Sequence, residues 1–189
     1  MLMSFEVTPN YIFKTFLIGK EGVGKLTFVK SPNFSTFPDE KGLTTGIFYG
    51  SYDYPFDSSD NTKYIKYWIW VYNPEKRFKF LFPSFLLGSN AIAIMFDVSD
   101  LTSLNEIDQW MEIIRIRCIN TPIMLLGNKA DLTEHLESAK TLADSIVEKY
   151  RLLGYLEISA LESRNIEIIF ETFTKTLLQR LNPNYKRKN

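Results

Sequence analysis

Six strand-sized apolar runs alternating with helical stretches predict an α/β fold, a mostly parallel six-stranded sheet with helices on both faces. Three observations carry this. The runs YIFKTFLIG, AIAIMFDV and PIMLLG are almost wholly apolar, as strands covered on both faces must be. The stretch LTSLNEIDQWMEIIRIRC places Leu104, Ile107, Met111 and Ile114 at helical spacing. A glycine-rich turn, GKEGVGK, joins the first run directly to another helical stretch. No repeat or low-complexity linker divides the 189 residues, so one domain over 1–189 is expected, with 1–10 and 183–189 as flexible ends.

In chain order, YIFKTFLIG is a buried strand and KLTFVK begins a helix that Pro32 must end, because proline has no N–H for the ladder. TTGIFYGSYDY and KYIKYWIWVY read as aromatic-rich strands, and the polar FDSSDN between them predicts a hairpin turn. AIAIMFDV, the long amphipathic helix and PIMLLG follow. A helix from about Ser138 to Lys149 leads to a short strand in YLEIS. The closing helix puts Ile166, Ile169, Phe170, Phe173 and Leu177 on one face.

Composition narrows the function. With 22 basic and 22 acidic side chains, no dominant nucleic-acid or anionic-membrane surface is expected. A lone cysteine, Cys118, excludes an internal disulfide and fits a reducing compartment, and a lone histidine, His135, leaves no His/Cys zinc set. No apolar run has membrane-spanning length. MLMSFEVTPN does not read as a secretory leader, Leu2 precludes myristoylation, and NPNYKRKN holds no cysteine to prenylate. The expectation is a cytoplasmic protein without its own anchor, reaching membranes only through a partner.

Ligands of parallel sheets sit at the carboxyl ends of the strands, where each motif of this chain falls. Gly19-x-x-x-x-Gly24-Lys25, between strand and helix, brings backbone N–H groups around a phosphate, with the lysine as a point charge. The phosphate-binding candidates are Gly19, Glu21, Gly22, Val23, Gly24, Lys25, Leu26 and Thr27. Leu26 stands where a hydroxyl would serve magnesium, and Thr27, about 100° further round the helix, is not expected to replace it. NKAD follows the strand PIMLLG, and the Asp131 carboxylate can accept two parallel N–H bonds from one edge of guanine, a pattern adenine does not offer. ISAL then sets Ser159, Ala160 and Leu161 where a backbone N–H meets the guanine carbonyl.

With "FKTFLIGKEGVGK", "DVSDLTSL", "LLGNKADL" and "YLEISAL" together, the chain resembles the small GTPases of the Ras superfamily, closest in texture to the Rab branch, from Tyr11 to Leu181. The resemblance implies a P-loop NTPase-type fold and GTP or GDP as ligand. It assigns the base to Asn128, Lys129 and Asp131, with Ala160 contributing through its backbone. It puts Phe37 against the base and Thr44 at the magnesium and terminal phosphate, the sole metal-ligand candidate.

Departures from the family pattern concentrate on the metal and on catalysis. Besides Leu26, Val71 replaces the aspartate that supports magnesium, and Pro74 replaces a glycine whose N–H meets the γ-phosphate. Glu75 takes the water-orienting position, and Glu21 brings a carboxylate to a place that is usually small. No residue is therefore assigned as catalytic, and magnesium is placed in doubt. DEKG, at Asp39 to Gly42, matches the second motif only as text, and Asp53, Asp57 and Asp60 read as turn residues.

Three readings follow: a nucleotide-binding pseudo-GTPase acting as a protein-interaction module, a GTPase using an unusual metal site or a partner's residues, and a nucleotide-free scaffold. The first is preferred, because the base-reading residues are intact and the metal-holding ones are not. Phe48, Trp70 and Phe85 fall at positions resembling the effector-facing aromatic trio of Rab proteins, with Trp68 and Tyr72 on the same strand face as Trp70. The segment from Tyr72 to Phe80 is expected to hold one conformation with either nucleotide.

Overall fold

The structure, a computed structural model, describes residues 8–36, 46–56, 63–72, 80–132 and 136–183. Strand β1 (Tyr11–Ile18) runs into the glycine loop, and the loop into helix α1 (Lys25–Val29). After the two-residue strand β2 (Ser35–Thr36) come β3 (Ile47–Pro55) and β4 (Tyr64–Tyr72), paired antiparallel from Ile47↔Tyr72 to Pro55↔Tyr64. This is the expected hairpin, although its FDSSDN turn lies largely outside the described residues. Next are α2 (Phe82–Leu86), β5 (Ala91–Asp97) and α3 (Ile107–Arg117). The chain closes with β6 (Ile123–Asn128), α4 (Glu137–Tyr150), β7 (Gly154–Glu157) and α5 (Ile166–Leu181).

The strands form one sheet in the order β2-β3-β4-β1-β5-β6-β7. Six strands of four or more residues make its body, β2 is a short edge addition, and every pairing from β4 through β7 is parallel. This is the α/β architecture expected from the alternating pattern.

Each face of the sheet carries its own core. On one side α1 and α5 cover Leu17, Ile65, Tyr67, Ile69 and Tyr52. Phe170 of α5 stacks on Tyr52 at 4.1 Å, and the buried Tyr67 hydroxyl bonds Thr174 Oγ1 at 2.7 Å, so burying the phenol leaves no orphaned polar atom. On the other side α2, α3 and α4 cover Phe16, Ile92, Ile94, Phe96 and Leu125, with Trp110, Met111 and Ile114 pointing inward from α3.

Local chemistry shifts some boundaries. The stretch expected as one helix from Leu101 begins instead as a 3₁₀ turn (Leu101–Leu104). Asp100 caps that turn, its carboxylate accepting from the Thr102 N–H at 3.0 Å and from the Thr102 hydroxyl at 2.6 Å. Such local acceptors compete with α-helical pairing. Helix α2, with Pro83 in its first turn, was not foreseen at all.

Candidate functional site

The carboxyl ends of β1, β4, β6 and β7 converge on one edge, and the glycine loop lies across it. Two glycines of the loop are required by contact. A Cβ on Gly19 would stand 2.2 Å from the Met95 carbonyl oxygen, and one on Gly24 would stand 2.3 Å from Asn128 Nδ2. Gly24 also has φ +97, a conformation that side chains resist. The loop is thus pressed against β5 and β6.

Lys25 opens α1 and is 6% exposed. Its ammonium donates to the carbonyls of Gly19 at 2.7 Å and Lys20 at 2.8 Å, which pins the charge across the loop. Burial lowers its pKa to about 8, against the opposing field of Glu21. A cavity of about 280 Å³ opens here, lined by Glu21, Gly22 and Gly24, by Lys25, Leu26 and Thr27 of α1, and by Val71 near the end of β4. Val71 is fully buried beside Leu17, while Leu26 and Thr27 are both exposed. Thr27 thus lines the cavity beside Leu26, where the phosphate-binding candidates were expected.

Across the loop stand the residues of NKAD and ISAL. Asn128, 2% exposed, donates from Nδ2 to the Val23 carbonyl at 2.8 Å and accepts at Oδ1 from the Ala160 N–H at 2.9 Å. One side-chain amide thereby joins three loops. The Ala160 N–H, expected to meet a guanine carbonyl, is given to Asn128, so a ligand must share or displace that bond. Asp131 Oδ1 accepts from the Ser159 hydroxyl at 2.6 Å, and that hydroxyl oxygen accepts from the Glu162 N–H at 3.1 Å. Among the described residues no hydrogen bond is made to the second Asp131 oxygen. Leu161, 74% exposed, lies beside Ala160, and Leu132, 64% exposed, lies beside Asp131.

Lys129 adopts positive φ and its ammonium pairs with Asp97 Oδ2 at 2.5 Å. Burial pushes the Asp97 carboxyl up, but the Lys129 and Ser99 hydrogen bonds outweigh it and hold the group below its usual value. Sequence reasoning missed Asp97. Its signal was a single carboxylate ending an otherwise apolar strand, in register with Asn128.

The described residues of the cavity wall offer a magnesium ion few ligands. Leu26 and Val71 present carbon at two positions that would support one, and among the described residues the side-chain oxygens of the lining are the Glu21 carboxylate and the Thr27 hydroxyl. No group of three or more His, Cys, Asp or Glu side chains is placed to hold a metal among the described residues. Phe37, Thr44, Pro74, Glu75 and His135 lie outside the described residues.

The aromatic trio needs correction. Phe48 packs against the core under α1 and α5, whereas Trp70 and Phe85 pack against the opposite core. The residue beside Trp70 is Tyr49, paired with it in register and ring to ring at 4.9 Å, edge to face. The antiparallel register decides this, since adjacent strand residues point to opposite faces. Tyr72 is buried against Phe16 and Phe82, under α2. Lys14 sits 4.1 Å above the Trp70 ring and donates to the Phe85 and Leu87 carbonyls at 2.6 and 2.8 Å.

The model of the Ras family matches residues 14–179 of this sequence. The chain belongs to the Ras family. Among relatives of this Ras-family chain, it is 33% identical over 173 residues to Ras-related protein Rab-19 of Homo sapiens, spanning 90% of the chain and 77% of that protein. It is 32% identical over 178 residues to Ras-related protein Rab-1A of Dictyostelium discoideum, spanning 91% and 83%. Identity to Ras-related protein RABD2a of Arabidopsis thaliana is also 32% over 178 residues. The Rab-like character of this Ras-family chain and its P-loop fold are thereby established, and proteins of this family bind GTP and GDP in general.

Proposed function

We propose that this Ras-family chain binds GDP or GTP through one nucleotide-binding domain, hydrolyses GTP very slowly or not at all, and serves as a protein-interaction module. The observation that carries the reading is a contrast within one site. On the base-reading side, Asn128 is latched to Val23 and Ala160, and Asp131 is braced by Ser159. The phosphate side has carbon, from Leu26 and Val71, where metal support is needed. Phosphoryl transfer in such sites depends almost wholly on positioning and on charge neutralisation. A site that keeps recognition and drops neutralisation holds its ligand without turning it over.

In this reading Asp131 accepts from the guanine edge, Lys129 leaves Asp97 or shares it on binding, and Leu132 and Leu161 flank the flat base. Lys25 meets the phosphates. Phe37 packs on the base and Thr44 reaches the phosphates, as the family pattern assigns them. The partner surface is the aromatic patch of Tyr49, Trp70 and Phe85 on the face that also carries α2. No described helix is long and apolar enough to cross a membrane. We place the protein in the cytoplasm, with any membrane contact made through a partner.

The test is identification of the nucleotide in freshly purified protein, followed by competition of GTP with ATP. Asp131→Ala should weaken guanine nucleotide binding by about 2–3 kcal/mol, roughly 30- to 150-fold, as for a charge-assisted pair. Equal affinity for ATP and GTP, or robust single-turnover hydrolysis, refutes the proposal.

A further inference from the structure

The phosphate cavity holds an unusual balance of charge. Its lining includes one ammonium, Lys25, and one carboxylate, Glu21. The other cation of the loop, Lys20, reaches away to the Thr102 hydroxyl at 3.3 Å. Lys25 has little freedom to follow a ligand, because its ammonium is held by the Gly19 and Lys20 carbonyls and its side chain is buried. Among the described side chains, the fixed charge lining the cavity is therefore close to zero.

Each further phosphate adds about one negative charge to a nucleotide. In nucleotide sites of this kind a metal ion bridges the β- and γ-oxygens and neutralises that addition. Here Leu26 and Val71 line the same wall and give such an ion no oxygen, which leaves it only the Thr27 hydroxyl and the Glu21 carboxylate among the described lining side chains. A triphosphate thus loses its counter-charge and also meets the Glu21 carboxylate, which lies at the turn of the loop between Gly19 and Gly24. A diphosphate loses less on both counts, since its phosphates are served by Lys25 and the loop N–H groups.

We propose that this site selects a guanine nucleoside diphosphate over the triphosphate, and that Glu21 is the residue that rejects the third phosphate. The proposal rests on the guanine-binding reading above. The preference it predicts makes the chain a poor reporter of GTP. Its bound form stays diphosphate-like, and a partner meets one state.

The experiment is competition binding of GDP, GTP and GMP to the full chain stripped of nucleotide, in chelator and again with magnesium, for wild type and Glu21→Gln. GDP is expected to bind at least tenfold tighter than GTP in both buffers. Glu21→Gln should tighten GTP more than GDP and bring the ratio within about threefold. Glu21 is exposed, so the variant should fold, and Glu21→Ala provides a second removal of the charge. GTP binding as tightly as GDP to wild type overturns the proposal. A ratio unchanged in both variants overturns the role of Glu21. Loss of all three nucleotides from a folded wild-type chain would instead sink the guanine-binding reading, and this inference with it.

Discussion

Replacing Asn128 by alanine should destabilise the ligand-free protein by about 2–4 kcal/mol. Asn128 Nδ2 donates to the Val23 carbonyl at 2.8 Å and Oδ1 accepts from the Ala160 N–H at 2.9 Å, in a site where the side chain is 2% exposed. Alanine leaves a buried carbonyl and a buried N–H without partners, each costing about 1–3 kcal/mol, less what the vacated space returns by admitting water. For a chain of this size that corresponds to a melting shift of roughly 4–16 °C. The assay is urea unfolding of nucleotide-free protein followed by circular dichroism, with wild type and variant compared at equal slope. Asn128→Asp sharpens it. The carboxylate keeps the acceptor for Ala160 but turns an oxygen towards the Val23 carbonyl, so this near-isosteric change should cost at least as much as alanine. A loss below about 0.5 kcal/mol for alanine, or an aspartate variant close to wild type, would show that the latch does not hold the loops together.

Two further outcomes follow from the same site. Burial lowers the Lys25 pKa from 10.5 to about 8, so the unfolded chain holds the extra proton between those values and ligand-free stability rises with pH across that window. Urea midpoints measured from pH 7 to 10.5 should show that rise in wild type and lack it in Lys25→Met; parallel curves would contradict the burial argument. Because Leu26 and Val71 offer a metal no oxygen, a chelator should change the GDP release rate by less than about threefold. Many-fold acceleration in a stopped-flow trace would instead reveal a metal held by other residues.

The parts of the molecule that the sequence makes legible are those encoded by short-range spacing. The loop from Gly19 to Lys25, the run Asn128–Asp131 and the apolar stripe of α5 each lie within a few turns of chain, where strand and helix periods dictate which side chains converge. Features set by register between distant strands were not legible. Tyr49 rather than Phe48 joins Trp70 because β3 pairs with β4 through Tyr49↔Trp70, and nothing in either strand alone fixes that pairing. The Lys129–Asp97 pair likewise needs β5 and β6 side by side, with Asp97 opposite Asn128. Helix α2 has only five residues, too few to show a period, and Pro83 obscures its start.

Lys14 has one more consequence. Its ammonium lies over the Trp70 ring on β4 and bonds two carbonyls of α2 and its end, at Phe85 and Leu87, so a single side chain fastens both banks of the aromatic patch. On the proposed reading, a protein docking there would meet a Trp70 ring already braced from one side. Its association would forgo part of the entropy loss of ordering this surface, leaving the on-rate to diffusion and orientation. Affinity differences among partners of such a surface appear in how slowly they leave.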